Sequence, residues 1–169
     1  MKPLGAAFDL VPAFVPLDLQ TARDGDWISL KNAAGVVCVL FKAAGTDNDD
    51  PTISFQQAQD VSGANAKDLA SIATVYEKEG ADLAAVGAWA KVEQTAAASY
   101  APGDPSAQSQ AVYVFQISAA EVDVANGFDC VRMRCSDVGT NAQLGCGFYL
   151  LYGLSYPSAP ESLPSAIID

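Results

Sequence analysis

The chain contains no histidine at all. That removes the usual general base near neutral pH, the Ser-His and Cys-His nucleophile pairs, and every histidine metal site. Positive charge is scarce as well, with 9 Lys+Arg against 20 Asp+Glu and a net charge of -11. Phosphate binding rests on clustered Lys and Arg, so no nucleic-acid partner is expected. Charged residues make up only 17% of the 169 residues, below the roughly 25% of an ordinary domain. Neither phosphate-cradling glycine pattern, GxxxxGK[ST] or GxGxxG, occurs. No repeat at a spacing of 20–50 residues is visible, and four cysteines in a chain this long do not make a disulfide scaffold.

Long unbroken apolar stretches are also missing. The opening MKPLGAAFDLVPAFVPL resembles a signal peptide, but Asp9 and Pro12 interrupt its apolar core. The uncharged stretch from Val138 to Pro160 carries Asn141, Gln143, glycines and prolines. It reads as a buried strand in place of a membrane helix, and no membrane partner is expected. Cys130 and Cys135 stand five apart on one expected strand and face opposite sides, so they cannot pair with each other. Cys38 and Cys146 sit in apolar runs, as free thiols or as a bridge between facing strands. Zinc-type spacing is absent, and reduced thiols fit assembly in a cytoplasm.

What is present is alternation. Hydrophobic residues make up 50% of the chain, enough for one domain with a core. Short β-branched and aromatic runs follow one another: Ile28–Leu30, GVVCVLFKA from Gly35, Ile53 and Phe55, and IATVYEK from Ile72. WAKVEQ from Trp89, VYVFQIS from Val112, FDCVRMRC from Phe128 and LGCGFYLLYG from Leu144 continue the series. Their spacing, with Gly, Asp, Asn and Pro between them, predicts an all-β antiparallel sandwich, jelly-roll-like. Ser118 and Glu121 have capping-box spacing on a connection, which predicts a single helical turn. The segment 100–110 is expected to be an exposed loop.

Both ends read as extended arms, residues 1–16 and 154–169, around a body of 17–153. Prolines stiffen them while Phe8, Leu10, Phe14 and Val15 at one end, and Tyr156, Leu163, Ile167 and Ile168 at the other, require cover. These eight side chains are candidate contacts with another subunit, with packing of the arms on their own domain as the alternative. Arg132 and Arg134 share a strand face and complete the candidate interface.

The remaining candidates are weaker. Asp47, Asn48, Asp49 and Asp50 read as a self-capping turn, with a calcium loop as the alternative. Asp24/Asp26, Glu77/Glu79 and Asp123/Asp129 are the carboxylate pairs available for sugar chemistry, but spacing alone does not place any pair across a substrate. Glu77 and Glu79 beside Lys78 read as a solvated face, and the Gly145-Cys146-Gly147 run as close sheet packing. No catalytic residue, metal or cofactor is expected.

Two blocks resemble small virion structural proteins encoded among the head genes of tailed bacteriophages. They are FVPLDLQTARDGDWISLKNAAGVVCVLFKAAGTDNDDPTISFQQAQD from Phe14 and DVANGFDCVRMRCSDVGTNAQLGCGFYLLYG from Asp123. The resemblance implies a particle role, with capsid cement or decoration first. The major capsid protein and copies of the chain itself, as dimer or trimer, are then the expected partners. The expected location is the virion surface after assembly in the host cytoplasm. A neck or tail ring and a carbohydrate-binding module using Trp27 or Trp89 are the alternatives.

Overall fold

The computed structural model describes residues 4–80, 87–103 and 109–168. Two antiparallel sheets pack face to face. Sheet A runs β1 (Phe8–Asp18), β12 (Leu144–Tyr152), β4 (Gly35–Lys42), β10 (Gln110–Ser118), β7 (Ile72–Gly80) and β8 (Ala90–Ala97). Sheet B runs β2 (Arg23–Asp24), β11 (Cys130–Cys135), β5 (Ile53–Ala58) and β6 (Lys67–Asp68), with β3 (Ile28–Ser29) on β11 and β9 (Ser99–Tyr100) on β5. The fold is an all-β antiparallel sandwich, as the alternation predicts. Among the described residues no helix is long and apolar enough to cross a membrane.

Period-two patterning decides which side chains go inside. Ala111, Tyr113, Phe115 and Ile117 of β10 are buried, as are Val36, Cys38 and Leu40 of β4 and Tyr149 and Leu151 of β12. They meet Phe55, Val131 and Met133 from sheet B. The Phe55 and Phe115 rings lie 5.0 Å apart, and Tyr100 packs edge-on to Phe115 at 6.0 Å. Tyr149 ties the layers together through its hydroxyl, which accepts from the Met133 N–H at 2.9 Å and donates to the Asp26 carbonyl at 3.1 Å. Gly147 makes room for this contact region, since a Cβ there would stand 2.6 Å from Met133 Cε and 2.8 Å from Phe14.

The N-terminal arm expected over 1–16 is corrected by the structure. Residues from Phe8 onward pair with β12 as an edge strand, so the body begins well before residue 17. Pro12 and Pro16 are tolerated because one row of N–H groups on an edge strand has no partner strand to serve. The register shifts on either side of Phe14 bend the strand locally. The C-terminal segment is irregular apart from a 3-10 turn at Pro160–Ser162. It folds over its own domain: Ser29 donates to the Ala166 carbonyl at 2.7 Å, and Leu163 lies against Gly5.

The cysteines are free. Cys38 stands opposite Tyr149 and Cys146 opposite Phe41, three rungs apart and on opposite faces of the sheet, so the bridge between them is excluded. Ser118 and Glu121 form their turn, with Glu121 accepting from the Ser118 N–H, and no α-helix follows. In the segment 100–110, residues 104–108 lie outside the described residues.

Candidate interaction surface

The alternation that buries one row of each sheet A strand turns the other row outward. In an ordinary two-layer sandwich that outer row is polar. Here one rung across all six strands reads Pro12, Phe148, Val39, Val114, Tyr76 and Lys91. The rung on one side joins Leu10, Leu150, Val37 and Gln116. The rung on the other joins Cys146, Phe41, Val112 and Lys78. Leu10, Val15, Phe41, Tyr76, Trp89 and Leu144 are all exposed, Leu144 at 62% and Val15 at 64%. Three shallow apolar hollows lie on this side, bordered by Leu10, Val15 and Phe148, by Phe41 and Leu144, and by Tyr76, Trp89 and Val114.

Charge on this side lies at its β7–β8 end and at Asp18, which stands opposite Leu144 at the far end of β1. Lys78 lies over the Trp89 ring at 5.5 Å, and Lys91 pairs with Glu93. The rest of the three rungs is uncharged in a chain of net charge -11.

The outer side of sheet B is built the other way. Asp24 bridges Arg134 Nε at 2.6 Å and Arg132 Nη1 at 3.2 Å. Arg132 also donates to Gln56 Oε1 at 2.8 and 3.1 Å, and its guanidinium covers Trp27 at 4.6 Å from the ring centre. Gln56 in turn donates to Asp68 at 3.3 Å. This is a solvated polar network that satisfies its own members.

No family model, curated protein or solved structure matches the chain. The site therefore rests on its residues alone.

Of the predicted interface residues, Leu10 and Val15 lie exposed on the apolar side of sheet A, and Phe8 is half-buried on the same strand. Phe14 is corrected: it is buried in the chain's own core against Gly147. Tyr156, Ile167 and Ile168 are exposed on the C-terminal segment and Leu163 is half-buried there. Tyr156, Leu163 and Ile168 border a cavity of about 100 Å³ with Asp9 and Lys31. Arg132 and Arg134 lie on the outer side of sheet B, where Asp24 and Gln56 engage them within the chain. The apolar outer side of β4, β10 and β12 was missed from sequence, and its signal is the unbroken Gly35–Lys42 run.

The other candidates resolve locally. Asp49 accepts from the Asn141 backbone N–H at 3.0 Å and its side-chain amide at 2.9 Å, pinning the acidic turn to the loop before β12. Among the described residues no group of three His, Cys, Asp or Glu could hold a metal ion. Trp27 is covered by Arg132 and by Gly63, where a Cβ would stand 2.6 Å from the indole nitrogen. It offers no open platform for a sugar.

Glu77 and Glu79 are corrected from a solvated face to an inward one. Each accepts from a core tyrosine, Tyr100 at 2.7 Å and Tyr113 at 2.8 Å. Lys42 is fully buried at the same end and donates to the Ser109 carbonyl at 2.9 Å. Burial lowers its pKa while the Asp50 and Glu79 carboxylates oppose the shift. Lys42 closes an apolar run at an inward position, a signal that was legible but carried no partner.

Proposed function

We propose that this chain is a non-enzymatic virion structural protein, a capsid cement or decoration subunit that binds the major capsid protein and copies of itself. The observation that carries the reading is the apolar, aromatic-rich outer side of β1, β12, β4 and β10 on an acidic protein. Large apolar patches on soluble proteins mark interaction sites. The four strands β1, β12, β4 and β10, of about nine residues each, make a face of roughly 550 Å², about two thirds of the roughly 800 Å² that each partner contributes to a standard interface. Net negative charge elsewhere keeps the subunit soluble before docking, and many copies on a lattice add avidity to a modest single contact. The resemblance of residues 14–60 and 123–153 to phage head-gene proteins supplies the setting.

A jelly-roll reading of the sandwich belongs to the same proposal. The strand pairs nest, β1 with β12, β2 with β11, β4 with β10 and β5 with β6. Nested pairing is what results when one long hairpin is rolled over onto itself, and double-sheet jelly rolls recur in capsid domains.

Cys146 provides the test, because it alone among the four thiols is only half-buried, and it lies on the apolar side. Maleimide should label Cys146 in the free protein and label it at least about tenfold more slowly on purified particles, since a docked partner excludes the reagent. Undiminished labelling of particle-bound protein would overturn this docking face. Uniform shell density in micrographs supports the cement role, whereas density confined to one vertex overturns it in favour of a neck or tail position.

A further inference from the structure

The two free edges of sheet A differ in a way that singles out one of them. β1 carries Pro12 and Pro16 and two register shifts, devices that stop another strand from adding to an edge. β8 has no proline, and among the described residues no strand pairs with its outer side. Its register shift against β7 falls within residues 94–96, so Ala90 to Glu93 remains a regular, exposed stretch.

That stretch has a charge pattern with its own symmetry. Lys91 and Glu93 flank Val92, point to the same side as Tyr76, and are both exposed. When an identical strand runs antiparallel with Val92 opposite Val92, each Lys91 faces the other copy's Glu93. Sliding by two residues in either direction sets lysine against lysine or glutamate against glutamate. Opposite charges across a strand pair stabilise and like charges destabilise, so one register is favoured over its neighbours. A generic protective charge on an edge would not need this arrangement. Val92 already packs against the core from its inner side, so a second Val92 extends an existing apolar layer. Trp89, 55% exposed, stands at the same edge.

We propose that β8 pairs antiparallel with β8 of a second copy about a two-fold axis at Val92, joining two six-stranded sheets into one of twelve strands. The self-association of the proposed function is thereby given a place, and the apolar outer sides of the two copies become one continuous surface. Shell docking uses the broad side of the sheet, whereas this contact uses its edge.

Sedimentation of the full chain tests it through charge reversal. Lys91→Glu and Glu93→Lys each turn both cross-strand pairs into like-charge pairs and should weaken dimerisation about tenfold or more. Mixing the two variants sets two glutamates on one strand against two lysines on the other, and dimer should return as the heterodimer. This mixture lacks the native ion pair within each strand, so recovery reports the contact between copies. A wild-type chain that stays monomeric, a dimer indifferent to both reversals, or a mixture that fails to associate would each overturn the proposal. Leu144→Glu, on the docking side and several strands away from β8, is scored in the same sedimentation assay. Dimerisation like that of the wild type in this variant, whatever its capsid binding, keeps failure of the docking face distinct from failure of the edge contact.

Discussion

Val39 and Arg132 hold similar places, each mid-strand near the centre of its sheet and each on the side away from the other sheet. Around Val39 lie Phe148 and Val114, with Phe41 and Val37 above and below. Around Arg132 lie Asp24, Gln56 and Trp27. The first environment offers water almost nothing to bond, and the second is a network of charges and amides that water reaches. One sandwich thus carries a polar outer side and an outer side that turns apolar side chains away from the core. The interior they enclose is the same.

The sharpest way to break this comparison is to place one carboxylate on each side. Leu144→Glu puts charge on an exposed apolar position of β12, and Ser54→Glu puts it on the sheet B side of β5. An unpaired carboxylate buried in an interface costs several kcal/mol. Leu144→Glu should therefore weaken capsid binding by about a hundredfold or more, with the urea midpoint of the free protein little changed. Ser54→Glu should leave binding as it was. If Ser54→Glu releases the protein and Leu144→Glu does not, the docking side has been assigned to the wrong sheet.

The asymmetry between the sides was only half legible in the sequence. Alternation located the strands of both sheets, and Arg132 and Arg134 were placed together on an outer row. The run from Gly35 to Lys42, apolar at every position but its last, reads as a central strand apolar on both faces. Sequence periodicity registers that both rows avoid water. It does not distinguish cover by a second layer of the same chain from cover by a different molecule. β1 was hidden for another reason: prolines that forbid a central strand are compatible with an edge, and which strand lies at an edge is a property of pairing. Glu77 and Glu79 turned inward because tyrosine hydroxyls from two other strands meet them there, a contact no local pattern encodes.

A second experiment asks whether the comparison stops at the surface. Cys38 lies inside sheet A and Cys135 inside sheet B, and burial raises the pKa of both thiols. Cys135 is pushed from the ordinary 9.0 up to about 12, even with the Lys42 ammonium pulling it down. The unfolded chain ionises these thiols as pH rises past about 9, while the folded chain keeps them protonated. The stabilisation is complete below pH 9 and is lost toward pH 12, at about 1.4 kcal/mol per pH unit for each thiol. Buried Tyr100 and Tyr149, their pKa values also raised by burial, act in the same direction. Lys42 acts in the opposite direction: its pKa is lowered, so the folded state gains stability as pH climbs toward the ordinary 10.5. Cys146, its pKa raised by burial as well, adds to the fall, so five groups against one predict a net decline. Urea midpoints should therefore decline from about pH 9 upward, and Cys135→Ala should flatten the decline. A flat profile in the wild-type chain would mean that the inner layer admits water.

The smallest effect belongs to the polar side. Asp24 holds Arg132 and Arg134 together and sits on β2, whose pairing to β11 rests on Arg134 opposite Asp24 and Cys135 opposite Arg23. The three side chains remain partly open to solvent, at 43% for Asp24, 39% for Arg134 and 20% for Arg132. Water therefore screens their attraction and replaces the lost contacts when one partner is removed. Asp24→Asn should cost about 0.5–1 kcal/mol in urea unfolding, less at high salt, and leave capsid binding untouched. A cost of several kcal/mol would mean that the network clamps β2 to the sheet as a buried pair does. The polar side would then be part of the scaffold, and the contrast between the two sides would be one of construction as well as of partner.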